Sequence, residues 1–262
     1  MIETLKDLRR QARRMASLQP IPAFYMDCAV ELQFSWDMFF DHPLILRLQE
    51  DCLPFLYDDF GHGVEHSKKV AQEACALVLV DGTALPPEDC RHLGLLAQFA
   101  GLLHDTCRLE QHHAEKGADL ARMILKDYPI PEHDREITAQ AIALHEAFRP
   151  GQILPEEPRA RLLAGALHDA DKFRWGPDNF VTTLWEICDY EEWSLKEITD
   201  RFPEGLARVE AVGDTFRTKA GRKYGPQMIE QGLFLGRELL SKLRELSAAG
   251  RRLTGRESGE EK

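Results

Sequence analysis

The 262-residue chain has no apolar run long enough to cross a bilayer, which predicts a protein with no membrane-spanning segment. It has no C-x-x-C pair. Cys28, Cys52, Cys75, Cys90, Cys107 and Cys188 are scattered with no secretion signal ahead of them, so free thiols in a reducing cytoplasm are expected rather than a disulfide framework. Five of the six read as core residues, and Cys107 lies close enough to the polar segment after Leu103 to be either core or site. Basic excess is also missing. The formal charge of −11 argues against extended contact with DNA or RNA phosphates, and leaves any anionic ligand to a local cluster of cations and metal. Finally there is no sustained period-two alternation, no hairpin turn between β-branched runs, no strand leading into a glycine-rich phosphate loop, and no internal repeat.

What is present is helical periodicity in an ordinary globular composition, 44% hydrophobic and 29% charged. The chain therefore reads as all-α. Residues 1–248 form one domain in this reading, and 249–262, which lack apolar periodicity, form a solvated flexible tail. Leu5, Leu8, Ala12 and Met15 share one stripe of a first helix. Its acidic Glu3 and Asp7 disfavour a targeting peptide. Two aromatic-rich helices follow Pro20 and Pro22, and a further helix runs from Ser67 to Asp81. Pro86-Pro87-Glu88-Asp89 opens a helix ending at His104-Asp105, and a helix hairpin carries His113 and His145 at its outer ends. Glu156 to Asp171 is helical. Three short helices are then expected, over DNFVTTLWEICDY, SLKEITDRF and GLARVEAVGDTF, before a long amphipathic one from Pro226 whose apolar face fits its own bundle or a second subunit equally well.

The chemistry centres on GLLHDTCR. His104 and Asp105 offer an imidazole and a carboxylate from one point of the backbone, both good ligands for a borderline divalent cation. Four other segments offer completing ligands: His66 in GHGVEHSKKV, His113 in EQHHAEKGA, His145 in AIALHEAF and Asp171 in LHDADKFRW. His62, one turn before His66, and His112, beside His113, compete with their neighbours. A metal held by neutral imidazoles and carboxylates lowers the pKa of bound water from about 15.7 towards about 7, giving a hydroxide able to attack phosphorus. If Asp105 bridges two ions, one activates water while the other neutralises phosphoryl oxygens. Lys172 and Arg174, with Arg108, are the cations available to the transition state, although each could equally serve as a surface charge or a salt-bridge partner. Trp175 and Phe173 could stack on a nucleobase or pack in the core.

The order His66, His104-Asp105, Asp171 resembles the H…HD…D motif of the HD superfamily, over about residues 60–175. The resemblance implies an HD-type helical bundle with added N- and C-terminal helices. It also selects Asp171 over Asp169 as the closing ligand, leaving Asp169 to orient a ligand from behind and His168 to pack. His113 and His145 are similar to the extra ligands of two-metal branches such as the cyclic-dinucleotide phosphodiesterases. Ala114 stands where those have proline, and their glycine-tyrosine-proline tail is missing, so the resemblance points to a second metal but not to that signalling branch. The implied activity is hydrolysis of a phosphomonoester or phosphodiester of a small molecule, commonly a nucleotide, with one or two of Mn, Fe, Co, Ni, Zn or Mg, and Asp105, Lys172 and Arg174 as the residues closest to the chemistry. Two alternatives share the pattern: a diiron oxygenase acting on a small polar molecule, and a non-catalytic ligand-binding module.

Overall fold

The computed structural model describes residues 3–55 and 63–257, with side chains for 5–55 and 63–248. Twelve α-helices and no strand occur among them. His62 lies outside the described residues, as do the last five residues of the expected tail. No described helix is long and apolar enough to cross a membrane.

The chain enters through α1 (Glu3–Ser17), α2 (Ala23–Asp27), α3 (Ala29–Asp41) and α4 (Pro43–Cys52). The α1 stripe behaves as its spacing dictates, with Leu5, Leu8 and Ala12 buried. Five helices then form the centre: α5 (Val64–Asp81), α6 (Pro87–Leu103), α7 (His113–Leu125), α8 (Glu132–Ala143) and α9 (Pro158–Phe173). α5 and α6 are packed most closely, and Gly101 is the reason. A β-carbon there would stand 2.3 Å from Ala71 Cα and 2.5 Å from Ala71 N, so only glycine lets the two backbones approach this far. Ala74, Ala97 and Ala100, all fully buried, continue the small-residue seam.

The C-terminal third comprises a π-helical turn at Asn179–Thr183, α10 (Leu184–Tyr190), α11 (Leu195–Val212) and α12 (Lys219–Glu257). Here two expectations are corrected. SLKEITDRF and GLARVEAV are one helix, continuous through Pro203. A proline in a helix interior removes a hydrogen bond and crowds the preceding turn, yet Ile198, Phe202, Val209 and Val212 fall on one face and are buried, and a Ser194–Glu197 capping box fixes the start. Tertiary burial overrides the local break. The last helix starts seven residues before Pro226, because Thr218 caps it: its Oγ1 accepts from Gly221 N at 2.8 Å. Asp81, at the end of α5, accepts from Lys219 N and Ala220 N at 2.6 and 3.2 Å. α12 buries Leu235, Leu239 and Leu243 in its own chain, and its backbone stays helical to Glu257.

Candidate metal centre

Each of the six expected ligands sits at or near a helix end, where side chains from different elements can converge. His66 is on the first turn of α5, and His104 caps α6 with Asp105 next to it. His113 opens α7, and His145 lies two residues past the end of α8. The α7–α8 hairpin thus brings its outer ends together, with the rings of His113 and His145 5.3 Å apart. Asp171 lies in the last turn of α9. All six are buried, whereas among the other described histidines His168 is buried and His42, His92, His112 and His133 are not.

The six divide into two groups, His66–His104–Asp171 and Asp105–His113–His145, each able to hold a metal ion. In the first, His66 Nε2 is 3.2 Å from His104 Nε2 and 3.3 Å from Asp171 Oδ1, and His104 Nε2 is 3.9 Å from that same oxygen. In the second, Asp105 Oδ1 is 3.7 Å from His113 Nε2 and 3.6 Å from His145 Nε2. Asp105 Oδ2 faces the first group, 3.4 Å from His104 Nε2 and 3.7 Å from His66 Nε2. One carboxylate therefore addresses both groups, an oxygen to each. Metal–ligand bonds of about 2.0–2.1 Å put neighbouring ligand atoms about 2.9–3.4 Å apart, so the first group is close to coordinating dimensions and the second slightly wider.

The surroundings prepare the imidazoles for this use. His104 Nδ1 donates to Gly101 O at 2.8 Å and His145 Nδ1 to Ile142 O at 2.7 Å. A carbonyl can only accept, so each Nδ1 carries its hydrogen and each Nε2 is the nitrogen turned into the cluster. Burial works against an imidazolium at His104, but Asp105, then Asp171 and the Gly101 carbonyl, outweigh it and raise its pKa above the ordinary value. The same negative charge attracts a cation. His113 is pushed down to about 4, by burial first and by His145 second, and is neutral at pH 7. Burial disfavours ionised Asp171, but Lys172, His66 and His104 hold its pKa well below the usual carboxylate range. The donor set fits a metal.

The cations separate into different roles. Lys172 is buried and its Nζ donates to Asp171 Oδ2, the oxygen turned away from His66 and His104. Arg108 is exposed at the rim and its Nη1 donates to His113 Nε2 at 3.1 Å. Arg174 lines a cavity with His66, Asp105, His145 and Asp171 but is held by Glu73, both of whose oxygens lie 2.7 Å from Nη2, by Asp178 at 2.6 Å and by Tyr25 at 2.9 Å. Its guanidinium ties α9 to α2 and α5.

Asp169 departs from its expected role. Its carboxylate accepts from Arg217 N at 2.9 Å, Thr218 N at 2.7 Å, Thr218 Oγ1 at 2.7 Å and His168 Nδ1 at 3.0 Å, and touches none of the six ligands directly. It pins the turn before α12. From that turn the Arg217 guanidinium donates to Leu144 O at 2.6 Å, on the residue before His145, and to Gln152 Oε1 at 2.9 Å. His168 is buried against Asp169 as expected. His112 is exposed, in a left-handed conformation (φ 58°) that turns the chain into α7, and is in neither group. Cys107 is half-buried and also in neither. Sequence reasoning missed Arg217, which stands 46 residues beyond Asp171 and 72 beyond His145 with no local signal, and Glu146. Glu146 follows His145 directly, and its Oε1 is 3.8 Å from His113 Nδ1.

Comparison of the chain with protein-family models, with curated proteins and with solved structures returned no match.

Proposed function

We propose that the protein is a metal-dependent phosphohydrolase with a two-metal centre of the HD type. The observation that carries this reading is the Asp105 carboxylate, set between two buried triads with one oxygen toward each. His66, His104 and Asp171 would hold one ion and His113 and His145 the other, with Asp105 shared. When bound, such ions supply Lewis acidity and lower the pKa of the water they hold to about 7.

The remaining work falls to this chain's own groups. The Gly101 and Ile142 carbonyls hold the proton of Nδ1 on His104 and His145, so Nε2 is the nitrogen of each ring that would ligate, and at His104 an incoming cation would displace the proton that Asp105 and Asp171 favour. Lys172 neutralises the outer oxygen of Asp171 and holds the carboxylate in place. Arg108, exposed and hydrogen-bonded only to His113 among the described residues, would swing toward a phosphoryl group, where a guanidinium matches the oxygen spacing. Arg174 supports the floor of the site through Glu73 rather than contacting the substrate. The reaction adds water across one ester linkage: a new P–O bond forms, the ester P–O bond breaks, and the alcohol departs carrying a proton from water.

The test is phosphate release from simple phosphomonoesters and phosphodiesters by protein loaded with manganese, cobalt, nickel or magnesium, alongside metal analysis of the protein as purified. The expected result is turnover with at least one metal, reduced by a factor of about 10³ or more in Asp105→Ala, together with loss of bound metal. Absence of cleavage with every metal, with oxygen consumption by the iron-loaded protein, would replace this reading by an oxygenase on the same ligands.

A further inference from the structure

A cavity of about 510 Å³ opens directly from the metal centre, with His66, Asp105, His145 and Asp171 on its floor. That volume is far more than a phosphate group needs and is typical of a site enclosing a whole small molecule. Beyond the floor, the walls change character. Trp175 at the end of α9, Phe180 in the π-helical turn, Ile187 on α10, and Trp193, Phe202 and Val209 on and before α11 form a continuous apolar lining. Uncharged hydrogen-bonding side chains are few there: Asn179, Thr183 and the indole N–H groups of Trp175 and Trp193. Charged side chains line the cavity as well, Arg108, Glu146, Lys172 and Arg174 beside the candidate ligands and Arg201, Glu204 and Arg208 along α11. Arg201 sits 4.7 Å above the Trp193 ring, and Arg208 is 5.9 Å from both Phe148 and Trp175.

The wall decides between two kinds of substrate body. A nucleobase carries several polar edge atoms, and each one buried without a partner costs on the order of 1–3 kcal/mol. With Lys172 held by Asp171 and Arg174 by Glu73, the wall along the π-helical turn, α10 and α11 offers few partners for a base and its ribose. An aliphatic or aryl body has no such requirement and gains with each methylene removed from water. The π-helical turn and α10 contribute much of this wall. These elements lie outside the segment that carries the ligands, so the apolar shape is an addition to the metal centre rather than a by-product of assembling it.

We infer that the substrate is amphiphilic, an anionic phosphoester head on the metal centre joined to an apolar aliphatic or aromatic body filling the chamber walled by α10 and α11. This rests on the phosphohydrolase reading for the head group but on the cavity alone for the body. Binding of alkylphosphonates, which cannot be hydrolysed at the ester position, separates the two. Calorimetry of the metal-loaded protein with methyl-, butyl-, octyl- and dodecylphosphonate should give an affinity rising roughly two- to fourfold per added methylene until the chamber is full. Octylphosphonate should bind at least tenfold tighter than a nucleoside phosphonate. Ile187→Lys and Thr183→Phe, placed on separate parts of the wall, should each flatten the chain-length dependence while leaving methylphosphonate affinity and the melting temperature unchanged.

Affinity independent of chain length, or tighter binding of the nucleoside phosphonate, would overturn the apolar body and leave the phosphohydrolase reading standing. A clear chain-length dependence with no hydrolysis of any alkyl phosphate under any metal would leave the chamber standing and remove hydrolysis. Failure of every phosphonate to bind would remove both.

Discussion

Asp169 and Asp171 stand two positions apart on α9 and do unrelated work. Asp171 turns Oδ1 to His66 and gives Oδ2 to Lys172, whereas Asp169 accepts four donors and reaches the site only through Arg217. Asp169→Asn keeps the shape but loses the charge on those bonds, so a destabilisation of about 1.5–3 kcal/mol is expected in denaturant melts. Its release of the Arg217 hold on Leu144 O should weaken metal affinity about tenfold or more, which titration would read. His168, pressed against Asp169, titrates in the opposite sense from a paired surface histidine. Burial drives its pKa down to about 4. The folded state thus binds this proton less readily than the unfolded chain, where the pKa is about 6.5. Its contribution is complete above pH 6.5 and is lost as pH falls from there toward 4, by an amount on the order of 3 kcal/mol. In His168→Gln, thermal melts across that window should show a shallower loss than in the parent protein; an unchanged slope would assign it to other groups.

Among the elements, the α5–α6 pair determines whether a site exists at all. Its close approach at Gly101 sets His66 and His104 within 3.2 Å. Gly101→Ala forces a β-carbon into Ala71 backbone, and overpacking of this kind costs about 1–3 kcal/mol or more. Melting temperature and metal stoichiometry should therefore fall together, and a variant that kept full metal binding would show that the separation of the two helices does not control the centre. α11 supplies a contrasting case. Pro203 interrupts its hydrogen bonding while the buried face holds the helix together. Pro203→Ala should raise stability by about 2 kcal/mol, the difference between a helix-interior penalty near 3 kcal/mol and the entropy returned to the unfolded chain.

At the scale of the whole molecule, the net charge of −11 is spread over the surface, while the centre gathers two buried aspartates against four buried imidazoles and one buried lysine. Burying that much potential charge is costly unless it is compensated. A cation bound by the two groups would supply that compensation and, by binding only the folded state, would add about 2.7 kcal/mol at 100 times its dissociation constant. Chelation should lower the melting temperature by several degrees, readdition of metal should restore it, and Asp105→Ala should abolish the response. The apolar core does not depend on the metal, so the chelated protein should keep its helical circular dichroism.

The sequence by itself determined the helical class and most element positions, because 3.6-residue periodicity, the Pro86-Pro87 start and the stripe of Leu5, Leu8 and Ala12 are local signals. It also named the six residues that the fold gathers into two groups able to hold a metal, since their types and order along the chain are visible without coordinates. Tertiary structure alone decided that they divide into two triads around Asp105, that Arg174 is held by Glu73, and that Asp169 holds the turn carrying Arg217. It also decided that α11 runs through its proline and that an apolar chamber continues from the metal centre. The physical reason is range. Periodicity and capping act over a few residues, whereas the direction in which a carboxylate oxygen or a guanidinium points is set by neighbours tens to more than a hundred residues away.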